Sequence, residues 1–93
     1  MRLRPPLVWE RPTREKLRRK HRVSPQEVEE VFFADRPHFK WYQQVYHAYG
    51  QTLRGRYLFV VFRHLARGQD KPITAYQMTE KQQRYYRHVK GGN

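Results

Sequence analysis

Ninety-three residues leave room for one modest core, since a chain of this size buries roughly 60–65% of the surface it exposes when unfolded. There is no cysteine, which excludes a disulfide scaffold, a thiol nucleophile and thiolate metal sites. Twenty Lys and Arg against eight Asp and Glu give a net charge of +12, so an anionic partner is expected: RNA, DNA, an acidic protein or a membrane surface. No apolar run approaches the roughly 20 residues of a membrane span, and the basic start is followed by no apolar stretch of the signal-peptide kind. A soluble, cytoplasmic protein is the expectation. Aromatic residues make up 15% of the chain, more than a disordered basic tail carries, so a folded domain with a basic surface is expected over 1–93, with a basic tail at 1–6 and a disordered end at 91–93.

The charge is uneven. Residues 1–22 hold nine basic and two acidic groups, whereas 24–35 hold four acids (Glu27, Glu29, Glu30, Asp35) and no Lys or Arg. The acidic block reads as a solvated helix face. Val8 and Trp9, after Pro5 and Pro6, predict a short first strand. Thr13 is placed to cap a helix running to about Lys20, whose only apolar anchor is Leu17. Ser24 and Glu27 form an S-x-x-E capping box, with Pro25 in the first turn and Val28, Val31 and Phe32 at helical spacing, so a second helix is expected over 24–33.

Residues 39–49 are aromatic and β-branched, and Val45 to Tyr49 predicts a strand. Arg54-Gly55 sits where a hairpin turns; as a two-residue turn it would set His47 opposite Phe62. Tyr57 to Phe62 is apolar on both faces and reads as a central strand. Ala66 to Lys71 is a loop, and Ile73 to Tyr76 a further strand. Thr79 and Gln82 form a second capping box that opens a last helix presenting Tyr85, Tyr86 and Val89. The expected architecture is α+β, in the order β-α-α-β-β-β-α, with a small, mainly antiparallel sheet and the helices packed on one side.

Little of the usual catalytic apparatus is present. The five histidines form no metal-ligand spacing, no glycine-rich phosphate loop exists, and Ser24, the only serine, is explained by its cap. No metal and no cofactor are expected. The remaining chemistry is cationic and aromatic. Arg, Lys, His and Tyr are the groups that cut an RNA phosphodiester without metal: one removes the 2′-hydroxyl proton, one neutralises the phosphorane, one protonates the leaving 5′-oxygen. A non-catalytic basic module would show the same composition.

Several motifs in fixed order resemble the BrnT-type toxins, small RelE-like ribonucleases of bacterial toxin–antitoxin pairs. They are Trp9-Glu10, Lys20-His21, Val23-Ser24, Val31-Phe32, Gly50, Gly55-Arg56-Tyr57-Leu58, Val60-Val61-Phe62, Ile73-Thr74-Ala75, Met78-Thr79 and Tyr86, spread over about residues 7–89. The chain departs from the family pattern at Arg22 (usually Gly), Tyr76 (usually Arg) and Gln82-Gln83 (usually Glu-Arg). The resemblance implies a metal-independent endoribonuclease acting on RNA, with mRNA as its target and translation inhibited. His21 would transfer protons, Arg56 would hold the phosphate and Lys20 would give electrostatic support, with Tyr76 and Tyr86 as further catalytic candidates. Arg18, Arg19, Arg22, Arg54, Arg63 and Arg84 are candidate RNA contacts. It also implies a BrnA-type, DNA-binding antitoxin as neutralising partner, and the ribosome as a possible one. The alternatives are a non-catalytic nucleic-acid-binding domain or decayed toxin, and an adaptor for an acidic protein.

Overall fold

A computed structural model describes residues 7–91; the basic tail at 1–6 and residues 92–93 lie outside the described residues. Helix α1 (Arg11–Lys16) runs directly into a π-helical turn, Leu17–His21. Pro12 lies in the first turn, where its fixed φ and missing N–H cost nothing, so the helix starts ahead of Thr13 and Glu10 takes the cap position. Leu17, the one apolar anchor, is fully buried. Helix α2 (Pro25–Phe33) opens with both hydrogen bonds of the Ser24–Glu27 capping box. Helix α3 (Glu80–Gly91) opens with the corresponding Thr79–Gln82 pair, at 2.9 and 3.1 Å. Gly91, expected in the disordered end, is its last residue.

The sheet is an antiparallel meander in the order β1-β2-β3-β4, formed by His38–Tyr42, Val45–Gln51, Tyr57–His64 and Asp70–Gln77. The α+β class and the antiparallel sheet are as expected; the first strand is not. Val8 makes a single ladder-like bond, its N–H donating to the Asp70 carbonyl at 2.9 Å, and residues 7–10 form no strand because α1 starts at once. The fourth strand is instead β1, joined to β2 by Gln43-Gln44. Both glutamines have positive φ, 48° and 70°, the geometry of a tight I′-type hairpin turn. Strands β2, β3 and β4 extend beyond the predicted limits, so Asp70 and Lys71 are strand rather than loop. The β2–β3 connection spans Thr52 to Arg56, with Thr52 N–H on the Arg56 carbonyl at 2.9 Å. That longer turn sets His47 opposite Val61, not Phe62.

Strand β3 is central, and period-2 alternation sends its apolar residues to two cores. Leu58, Val60 and Phe62 join Ala48, Ala75, Leu17, Val28, Val31 and Phe32 beneath α1 and α2. Phe59 joins Tyr49, Met78 and Tyr86, with Tyr57 and Val61 packed alongside, on the opposite face. The helices are therefore not all on one side: α3 crosses the far face, because Phe59 and Tyr49 leave an apolar surface there that Tyr85 and Tyr86 cover.

The acids of the α2 region are not a solvated face. Glu29 accepts from the Trp9 indole at 3.3 Å, Glu30 from the Leu53 N–H at 3.0 Å, and Glu27 from Arg56 at 3.1 Å. Asp35 accepts from the Gln51 N–H at 2.7 Å and from the Tyr86 hydroxyl at 3.4 Å. Each carboxylate thus ties α2 to another element. Gly50 passes so close beneath this region that a Cβ would lie 2.8 Å from Val31 Cγ1 and 3.0 Å from Asp35 Oδ2. Val31 is fully buried and Asp35 is held at two donors, so neither can yield. Gly50→Ala is expected to cost about 1–3 kcal/mol, read from the urea midpoint at unchanged m-value.

Candidate active site

The π turn ends in Lys20-His21-Arg22, three cationic or titratable side chains in succession. The turn closes with Arg22 in the left-handed region at φ 54°, its N–H on the Leu17 carbonyl. A side chain there is strained, which is why glycine is the ordinary choice at such a helix end. Arg22→Gly is expected to raise stability by about 1 kcal/mol. If the arginine serves RNA, the same variant will bind RNA less tightly; thermal melting and an RNA titration on one preparation check both.

His21 is half-buried, and its ring lies 5.9 Å from the ring of Tyr76, at the end of β4. The Tyr76 hydroxyl accepts from Gln82 Nε2 of α3 at 3.3 Å, and its ring rests on Phe59 at 5.1 Å. So β4, the π turn and the start of α3 meet at one point, with an imidazole beside a phenol and the exposed side chains of Lys20 and Arg22 adjacent in sequence.

Arg56 reaches the same point from behind. Its Nη1 donates to Glu27 Oε1 and Oε2 at 3.1 Å and to the Arg22 carbonyl at 2.8 Å; Nη2 donates to the His21 carbonyl at 3.5 Å; Nε donates to Gln77 Oε1 at 3.4 Å. The guanidinium fastens the orphan carbonyls at the end of the π turn, with Glu27 balancing its charge. In the sequence, none of Glu27, Gln77 and Gln82 carries a motif that points to this site. Only their contacts with Arg56 and Tyr76 reveal them; Glu27 and Gln82 were accounted for by their capping boxes.

Tyr86 is not brought to this point. It is buried in the core under α3, and its hydroxyl donates to Asp35. Burial, then the Asp35 charge and hydrogen bond, push its phenol up to about 12. The unfolded chain ionises this group near 10 and the folded one only near 12, so the stability that neutral Tyr86 provides is lost as pH rises across that window. Tyr86→Phe is expected to flatten the fall in melting temperature between pH 10 and 12.

The remaining basic candidates are spread out. Arg18 and Arg19 project from the π turn, Arg54 from the β2–β3 turn, Arg63 from the far end of β3 and Arg84 from α3; all are exposed. Elsewhere on the sheet, burial and Lys40 lower the pKa of His47; burial, then Lys40 and Lys90, lower that of His38. Among the described residues no group of three or more His, Asp or Glu is clustered as a metal would need, and no helix is long and apolar enough to cross a membrane.

No family model and no curated protein matches the sequence. A comparison of structures does find a match. The crystal structure of the ribonuclease toxin BrnT from Brucella abortus superimposes with a TM-score of 0.64 at 17% sequence identity, covering 80% of this chain and 96% of that one. Three helices around a four-stranded antiparallel sheet thus have, in this chain, the fold of BrnT.

Proposed function

We propose that this protein is a toxin-type endoribonuclease that cleaves RNA without a metal. The observation that carries the reading is the His21–Tyr76 pair, set beside Lys20 and Arg22 on the fold of a ribonuclease toxin. In the proposed step, His21 accepts the 2′-hydroxyl proton as the 2′-oxygen bonds to phosphorus. The bond from phosphorus to the 5′-oxygen breaks, and that oxygen takes a proton from Tyr76 or from water. The products are a 2′,3′-cyclic phosphate and a 5′-hydroxyl end. Lys20 and Arg22 neutralise the charge that builds on the phosphorane. Arg56 serves the site from beneath by fixing the backbone of His21 rather than by gripping the phosphate, since four of its contacts are already internal.

Messenger RNA is the proposed target, inhibition of translation the proposed consequence, and an acidic surface of a cognate BrnA-type antitoxin the proposed means of neutralisation. The test uses purified protein and a 5′-labelled single-stranded RNA with chelator present, and a His21→Ala protein purified identically. Fragments ending in a cyclic phosphate from the wild type alone support the reading; intact RNA with and without added ribosomes overturns it. One observation favours a second reading, a non-catalytic binder: Tyr76 and Gln83, both uncharged, stand where the resemblance expects arginines. That reading predicts a salt-dependent gel shift with no cleavage.

A further inference from the structure

We infer that single-stranded RNA runs across the sheet face opposite α1 and α2, its bases stacking on Tyr42 and His47 and its phosphates meeting Lys40 and Arg63, toward the His21 end. The choice of RNA as ligand rests on the proposed function; the track itself rests on the following geometry.

Alternation along the strands puts His38, Lys40, Tyr42, Val45, His47, Tyr49, Phe59, Val61, Arg63, Thr74 and Tyr76 on this face. Helix α3 covers only one end of it, where Tyr85 and Tyr86 contact His38, Tyr49 and Tyr57. The other end is left open. Across the face the rings form a continuous diagonal: Tyr42 to His47 at 5.3 Å, His47 to Phe59 at 4.8 Å, Phe59 to Tyr76 at 5.1 Å, and Tyr76 to His21 at 5.9 Å. Phe59 is buried and braces the row; Tyr42 is 47% exposed, and His47 and Tyr76 are half-exposed. The row crosses all four strands, about 15 Å at the usual strand spacing, and ends at the proposed reacting group.

Charge is segregated in the same sense. The four strands contain one acid, Asp70, and it is held by His64 at 2.7 Å, which alternation puts on the helical side of the sheet. The α2 carboxylates are on the helical side too. Lys40 and Arg63, both exposed, flank the open rings. Lys71, opposite Arg63, is paired with Glu10 at 3.2 Å. Planar rings with interspersed cations, and no strand carboxylate among them, suit a single-stranded polyanion whose bases are free to stack, and this recognition tolerates sequence. An acidic polymer without rings, such as polyglutamate, would use the cations alone.

The test measures affinity of the full chain for a 2′-O-methylated single-stranded 12-mer, which cannot be cleaved because the attacking hydroxyl is blocked. Tyr42→Ala and His47→Ala are each expected to weaken binding about 5- to 100-fold. Lys40→Ala and Arg63→Ala are each expected to lower the slope of log affinity against log salt by about 0.7. Trp41→Ala, which removes an exposed ring from the other face of β1, leaves Tyr42 and His47 in place and retains most of the affinity. Melting temperatures of all variants confirm that they fold. The track is overturned if the two ring variants bind within twofold of wild type, if duplex RNA binds as tightly as single strand, or if polyglutamate competes equally well against wild type and ring variants. A protein that binds through the rings but never cuts would sink the ribonuclease reading and keep the track. A protein that cuts, with ring variants that bind and cut the same 12-mer sequence normally, would do the reverse.

Discussion

Removal of the His21 imidazole by His21→Ala is expected to lower RNA cleavage about 10²- to 10⁴-fold, the range that one positioned acid–base group ordinarily contributes. Stability should change little, because the ring is half-exposed, with Tyr76 beside it at 5.9 Å. The two effects separate cleanly: cleavage is followed by single-turnover fragmentation of labelled RNA, folding by thermal melting. Tyr76→Phe is the informative companion. It removes the hydroxyl that Gln82 contacts at 3.3 Å and keeps the ring on Phe59. If Tyr76 acts through its hydroxyl, cleavage falls with affinity unchanged; if through its ring, neither moves. Wild-type rates in the His21→Ala protein would remove His21 from the mechanism.

The sequence was most legible where local chemistry decides the structure. Both capping boxes form because their partners are three residues apart and need nothing from the rest of the fold. Strand β3 was legible because residues apolar on both faces have to be covered on both faces. Strand β1 was not, since Gln43-Gln44 adopts a turn that Asn-Gly or Asp-Gly usually signals. The position of α3 was missed for a related reason: the face that Tyr49 and Phe59 share exists only once β2 and β3 are paired in the observed register. The π turn also left no trace in the pattern, because its defining bonds are backbone bonds. Its consequence is the candidate site, since it delivers Lys20, His21 and Arg22 in sequence at the end of β4.

The candidate site divides along the same line. His21 and Tyr76 came from motif positions, and the structure brings their rings together. The acids of α2 could not be interpreted from composition, because a carboxylate's role depends on which distant donor reaches it. Glu27 looked like half of a cap and is that; it is also the counter-ion of an arginine 29 residues away. Arg56 was a phosphate ligand only by the resemblance, and its bonds to Glu27, Gln77 and the His21 and Arg22 carbonyls leave no trace in the motif that carried it.

The occupied state of Arg56 leads to a sharp expectation. Arg56→Ala removes an ion pair to Glu27 and bonds to two carbonyls at the end of the π turn, leaving those acceptors without their donor. The expected cost is about 1.5–3 kcal/mol, the range for hydrogen bonds to a charged group. Cleavage, measured well below the variant's melting temperature, should fall mainly in kcat, because the His21 backbone loosens while the exposed RNA contacts stay in place. A phosphate ligand would behave differently, with KM rising and the salt slope decreasing. Arg56→Lys should restore charge and little else, since an ammonium cannot reach Glu27 and both carbonyls in the geometry of a planar fork. Glu27→Gln should act in the same direction as Arg56→Ala. The double variant should cost clearly less than the two single costs added, because both act on one clamp that can be lost only once. Additive costs would mean that the two residues act independently and that Arg56 is free to meet the phosphate after all.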